Sequence, residues 1–282
     1  MSALAATATG DLWEAWSFDP LVLAGAVVAV IFFGQGWRRL RARRAELAPW
    51  SRWPIFLAGV AIVVLGIVSP LDAIAEEYLQ SAHMLQHVLI ADLGVALALV
   101  AVRGPLSLFF LPQDLLAPLA RRRWLRRSLS TVLRPRVAVA LWLGVLVAWH
   151  IPFLYDAALR QPLLHRVEHL SFVVVGVLVW TLLVDPAGHG RLSRSGRIGF
   201  AVVLLWMGQL LAYVFVFSFH PYYDVYAEQP ERLLGLSPLA DQKLAGVVMM
   251  AEQLLTLGVA LVLLVLAARR TRAVPVASPE PV

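Results

Sequence analysis

Seven apolar stretches constrain this 282-residue chain more than any motif does. Each comes close to the roughly 20 residues that a helix rising 1.5 Å per residue needs to cross a bilayer. They fall at about Pro20 to Trp37, Pro54 to Ser69, Leu79 to Val102, Val137 to Tyr155, Leu163 to Val184, Ile198 to Phe219 and Leu244 to Ala267. With 60% of residues hydrophobic and 15% charged, a water-soluble globule would have nowhere to put its apolar surface. The expected fold class is therefore all-α, a polytopic membrane bundle of seven transmembrane helices. There is no cysteine. Disulfides, thiolate metal sites and cysteine nucleophiles are excluded, and any chemistry must use His, Met, carboxylates or hydroxyls.

Basic residues set the orientation. Arg38, Arg39, Arg41, Arg43, Arg44 and Arg52 fall between stretches one and two, and Arg103, Arg121, Arg122, Arg123, Arg126, Arg127, Arg134 and Arg136 between three and four. Arg191, Arg194 and Arg197 follow stretch five, and Arg269, Arg270 and Arg272 follow stretch seven, so 20 of 24 basic residues lie on one side. That side reads as cytoplasmic, with the N-terminus out and the C-terminus in. The net charge of +6 is a consequence of topology, and nucleic acid is not an expected partner. Residues 1–19, which carry acidic but no basic side chains, read as a short outside tail with no signal-peptide start. Residues 20–268 form the membrane domain, and the proline-containing 269–282 reads as a disordered cytoplasmic tail. The Arg121 to Arg136 loop fits topology first, and an amphipathic helix on anionic membrane lipid second.

Depth then sorts the histidines. His83 and His87 open stretch three, His150 lies near the outer end of stretch four, His165 and His169 open stretch five, and His220 closes stretch six. Six of the seven histidines thus share one outer slab, and His189 reads as an ordinary loop residue. Both pairs are spaced i and i+4, which puts each on one helix face with Cβ atoms about 5–6 Å apart, close enough to chelate a metal. Met249, on stretch seven, is a soft thioether suited to Cu(I), although a methionine alone is as readily packing. His220 could be a plain interface residue. Ionisable groups inside a membrane are costly, which favours a functional reading of the paired histidines. Glu168, Asp72 and Asp241 are candidates to hold the second imidazole nitrogen of a ligand, while Asp72 and Asp241 fit a plain loop charge equally well. Asp92, in the middle of stretch three, fits either a proton relay or an interhelical contact.

At these residues the chain resembles the CtaG-type membrane proteins that assist assembly of caa-type cytochrome c oxidases. The resemblance is carried by Ser69-Pro70-Leu71-Asp72, by His83-Met84-Leu85-Gln86-His87, and by Trp149-His150-Ile151-Pro152 running into Tyr155-Asp156-Ala157-Ala158-Leu159. It continues through His165-Arg166-Val167-Glu168-His169 with Phe172, Gly176 and Trp180, and ends at Asp241-Gln242 with Gly246 and Met249. The chain departs from the pattern at Met250, where an aromatic is expected. The resemblance implies a multi-pass protein of the bacterial plasma membrane that is not an enzyme. It further implies that the protein handles copper, with the oxidase catalytic subunit as partner, and helps to build that subunit's buried copper centre.

The expected metal site comprises His83, His87, His150, His165 and His169, with His220 and Met249 as weaker members; copper is the expected metal and zinc the other option. The competing reading is a seven-helix zinc hydrolase acting on lipid, which needs three histidines and a bound water. A haem carrier would use histidines from two helices as axial ligands.

Overall fold

The computed structural model describes residues 11–188 and 190–272. The expectations for the first part of the N-terminal tail, for His189 and for most of the C-terminal tail lie outside the described residues. Among the described residues all regular structure is helical. The helices used below are α1 (Pro20–Arg43), α2 (Arg52–Val68), α3 (Leu71–Glu77), α4 (Gln80–Val102), α5 (Gln113–Arg121), α6 (Arg123–Val132), α7 (Pro135–Trp149), α8 (Pro152–Arg160), α9 (Pro162–Val184), α10 (Arg194–Val216) and α11 (Pro238–Arg270). Six are long and apolar enough to cross a membrane: α1, α2 together with the short turn at Ala45–Leu47, α4, α9, α10 and α11.

The fourth expected span is different. Its helix, α7, has 15 residues and meets α6 at a 74° bend, so only the bent pair together reaches a seventh span. Proline sets both ends. Pro135 cannot donate an N–H and holds Arg134 extended (φ −72°, ψ 128°), and Pro152 does the same to Ile151 (φ −70°, ψ 125°). The continuous helix expected from Val137 to Tyr155 is therefore corrected: it stops at Trp149, His150 is its C-cap, and Tyr155 rides on the separate helix α8.

One close contact joins the two helices that carry the paired histidines, and a second joins α10 to α11. A Cβ built on Gly176 of α9 would stand 2.0 Å from the Ala91 carbonyl oxygen of α4, and one on Gly246 of α11 would stand 2.8 Å from that of Ala212 on α10. Only glycine permits backbones to approach so closely, the device by which membrane helices pack without a hydrophobic driving force. Leu21, Ile31, Leu170, Val174, Leu255 and Leu263 lie on the outside of the bundle, as suits a surface facing lipid. Both α4 and α11 contain a π-helical stretch, at Leu89–Leu93 and Leu254–Gly258.

The two ends of the bundle differ in chemistry. At one end Arg52 donates to the Ala101 carbonyl (2.9 Å), Arg191 to that of Ser130 (3.3 Å) and Arg194 to that of Ala267 (3.1 Å). At the other end lie the starts of α4, α9 and α11, with all the paired histidines.

Candidate metal centre

The start of α4 has four backbone N–H groups to satisfy, and its own N-cap, Leu79, offers no side-chain acceptor. Asp241 of α11 supplies one from outside the helix: its carboxylate accepts from the Gln80 N–H (2.7 Å), the Ser81 N–H (3.2 Å) and the Ser81 hydroxyl. This cap fixes the turn that carries His83 and His87. The start of α9 has proline at its first position, where the missing N–H costs nothing. His165 and His169 follow in the next two turns.

The four paired histidines converge. His83 (0% exposed), His87 (5%), His165 (5%) and His169 (8%) are buried together, and one ring nitrogen from each lies within 4.8 Å of the others. The Nε2 atoms of His83 and His165 stand 3.3 Å apart. Two nitrogens bound tetrahedrally to one ion at 2.0–2.1 Å would be separated by about 3.3 Å, so this half of the cluster already has ligand spacing.

The far side of each of these two rings is held. His165 Nδ1 lies 2.6 Å from Glu76 Oε1, so Nδ1 carries a proton and Nε2 is the nitrogen that faces the cluster. His83 Nδ1 lies 2.7 Å from the Tyr155 hydroxyl and 3.3 Å from that of Tyr226. Tyr226 donates its only proton to the Ala75 carbonyl (2.6 Å), and burial holds its phenol well above the usual range, so it remains a neutral hydroxyl. Tyr155 lies between His83 Nδ1 and the Tyr226 hydroxyl (3.3 Å) and can donate to either, so the two hydroxyls orient the His83 ring and aim its Nε2 at His165. Two imidazole nitrogens at this distance can share either one proton or one cation.

Around the other pair the polar atoms lack partners. Both ring nitrogens of His87, Nε2 of His169 and both carboxylate oxygens of Glu168 are buried with no hydrogen bond. Glu168 is 1% exposed, and its nearest opposite is His87 Nε2 at 3.7 Å. A buried carboxylate with no counter-charge is expensive, and a bound cation would relieve it.

The remaining sequence candidates fall elsewhere. His150 lies at the end of α7 with Nδ1 held by the Leu146 carbonyl (2.6 Å), facing Phe215 rather than the four-histidine group. Met249 (3% exposed) packs with Met84, Tyr155 and Phe215. His220 is an exposed residue of the loop after α10, its ring against Tyr222. Of the three carboxylates expected behind ligand rings, Glu168 lies beside His87, Asp241 caps α4, and Asp72 accepts from Gln86 and Ser17 and touches no histidine. Burial and the Glu76 carboxylate push Asp72 up to about 6. Glu76, Tyr155 and Tyr226 are the partners that sequence reasoning missed as such. Tyr155 was within the recognised motif, whereas nothing in the spacing of Glu76 or Tyr226 marks them.

A family model described as cytochrome c oxidase caa3 assembly factor (Caa3_CtaG) matches residues 31–271. Neither a curated relative nor a solved structure matches the chain. The matched range runs from within α1 to the end of α11 and takes in all four converging histidines, and the chain belongs to the cytochrome c oxidase caa3 assembly-factor family.

Proposed function

We propose that this protein is a copper-handling assembly factor of the bacterial plasma membrane. It takes up copper at the four-histidine centre from the outer face and supports formation of the buried copper centre in the oxidase catalytic subunit. The observation that carries this reading is the pair of Nε2 atoms 3.3 Å apart inside a buried four-imidazole group, beside Glu168, whose carboxylate oxygens make no hydrogen bond. Four neutral imidazoles, one carboxylate and one Cu(I) sum to zero charge, a tolerable state away from water. Imidazole is a weaker copper ligand than thiolate, which suits cargo that must be released.

In this reading seven spans run with the N-terminus out and the C-terminus in. The arginine-rich end of the bundle lies against cytoplasmic lipid, and the histidine end faces the side where copper arrives. Four protein ligands would complete a tetrahedral zinc shell and leave no position for a reactive water, which counts against the zinc hydrolase. The test is in cells: His165→Ala combined with His169→Ala should leave the membrane protein inserted and the oxidase polypeptide present, but short of its buried copper. Full oxidase copper and full activity in that variant would overturn the proposal.

A further inference from the structure

Deeper in the bundle, α4, α7, α9, α10 and α11 enclose a cavity of about 60 Å³. A single water needs roughly 10–15 Å³ by the same measure, so there is room for an ion or several waters. Its wall is mostly apolar but includes Met84, His87, Asp92, His150, Met249 and Glu252.

These polar groups are not equally satisfied. Asp92 accepts a hydrogen bond from the Trp180 indole. Glu252 is 8% exposed, and neither carboxylate oxygen has a partner with hydrogen-bond geometry; the adjacent Thr256 hydroxyl donates to the Glu252 backbone carbonyl instead (3.2 Å). In His150, Nδ1 faces a carbonyl, which can only accept, so the proton is on Nδ1 and the unpartnered Nε2 bears a lone pair. Both π-helical stretches adjoin these groups, one beginning two residues after His87 and the other two residues after Glu252. Such widened turns recur at functional sites.

We propose that Met84, Met249 and His150, with Glu252 as counter-charge, form a second Cu(I) site beside the four-histidine centre, and that His87, which borders both, links the two. Two thioethers and an imidazole are a soft donor set that selects Cu(I) over harder cations. Of the two carboxylates in the wall, Asp92 is engaged by the Trp180 indole, which leaves Glu252 as the counter-charge for a bound cation. Methionine has three rotatable bonds, so the two thioethers can close on an ion without moving the backbone. Met84 and His150 lie level with the four-histidine centre and Glu252 lies further along α11, so the second site gives copper a position on the inner side of that centre.

The inference rests on the copper reading of the four-histidine centre, and the test separates the two. Full-length protein in detergent is titrated anaerobically with Cu(I) against a competing chelator, and the bound copper is examined by X-ray absorption. The wild type should hold two equivalents, the second with sulfur neighbours. Met84→Leu combined with Met249→Leu should hold one equivalent without sulfur, and Glu252→Gln should weaken the second equivalent at least tenfold. Two equivalents in the methionine variant, or a single wild-type equivalent lost only in His83→Ala/His165→Ala, would overturn the second site. A single equivalent lost only in the methionine variant would support the second site and remove copper from the four-histidine centre.

Discussion

Replacing Glu76 by Gln tests how the centre is tuned, because among the four histidines the carboxylate hydrogen-bonds only His165. Its Oε1 lies 2.6 Å from Nδ1, a charge-assisted hydrogen bond that fixes the tautomer and raises the basicity of the opposite nitrogen. Bonds to charged groups contribute about 1.5–3 kcal/mol and neutral ones about 0.5–1.5. The amide oxygen of Gln can still accept, so the loss is the difference between these. The Glu76 side chain is 40% exposed, and solvent screening brings that difference down to about 1 kcal/mol, roughly fivefold in Kd. Competition titration of purified protein with a Cu(I) chelator measures it. The decisive comparison is a double-mutant cycle: with His165 already replaced by Ala, Glu76→Gln should have almost no further effect. An unchanged Kd in the otherwise wild-type chain, or an equal loss in the His165→Ala background, would refute the argument.

Asp241→Ala strips three buried donors of their acceptor at the start of α4 and should lower stability by about 3 kcal/mol, with Asp241→Asn intermediate; thermal unfolding in detergent checks this, and an unchanged midpoint would count against the cap. Asp72, with its pKa raised to about 6, favours the fold in its protonated form, so its contribution is present below about pH 4 and is lost as pH rises through 6. Asp72→Asn should flatten the fall in stability between about pH 4 and 6, and an unaltered pH profile would contradict the assignment. A reporter active only outside the cytoplasm should be silent when fused after Val282 and active when inserted near Glu228, and the reverse pattern would invert the proposed topology.

The parts of this molecule written in local sequence were legible, and the parts made by distant contacts were not. The i, i+4 histidine pairs declare their shared face because helix geometry alone places them, and the long apolar runs declare the six helices in the same way. The break at His150 was also present in the sequence as Ile151-Pro152, but the apolar run on either side of it concealed the stop. Glu76 and Tyr226 could not have been found by spacing, since they reach His165 and His83 from α3 and from the loop after α10 across long stretches of chain. Asp241 was expected behind a ligand ring. It instead holds the helix that presents the ligands, a role visible only once α11 is placed against α4.

The central claim is that His83, His87, His165 and His169 bind one metal ion, and that the ion is copper. Metal analysis and X-ray absorption of the purified Met84→Leu/Met249→Leu protein, which lacks the second proposed site, loaded with one equivalent of Cu(I) test it directly. The account predicts one copper per chain with a shell of imidazole nitrogens, lost in His83→Ala/His165→Ala and retained in His220→Ala. Copper bound with equal affinity by the His83→Ala/His165→Ala variant, or a first shell without nitrogen, would contradict it.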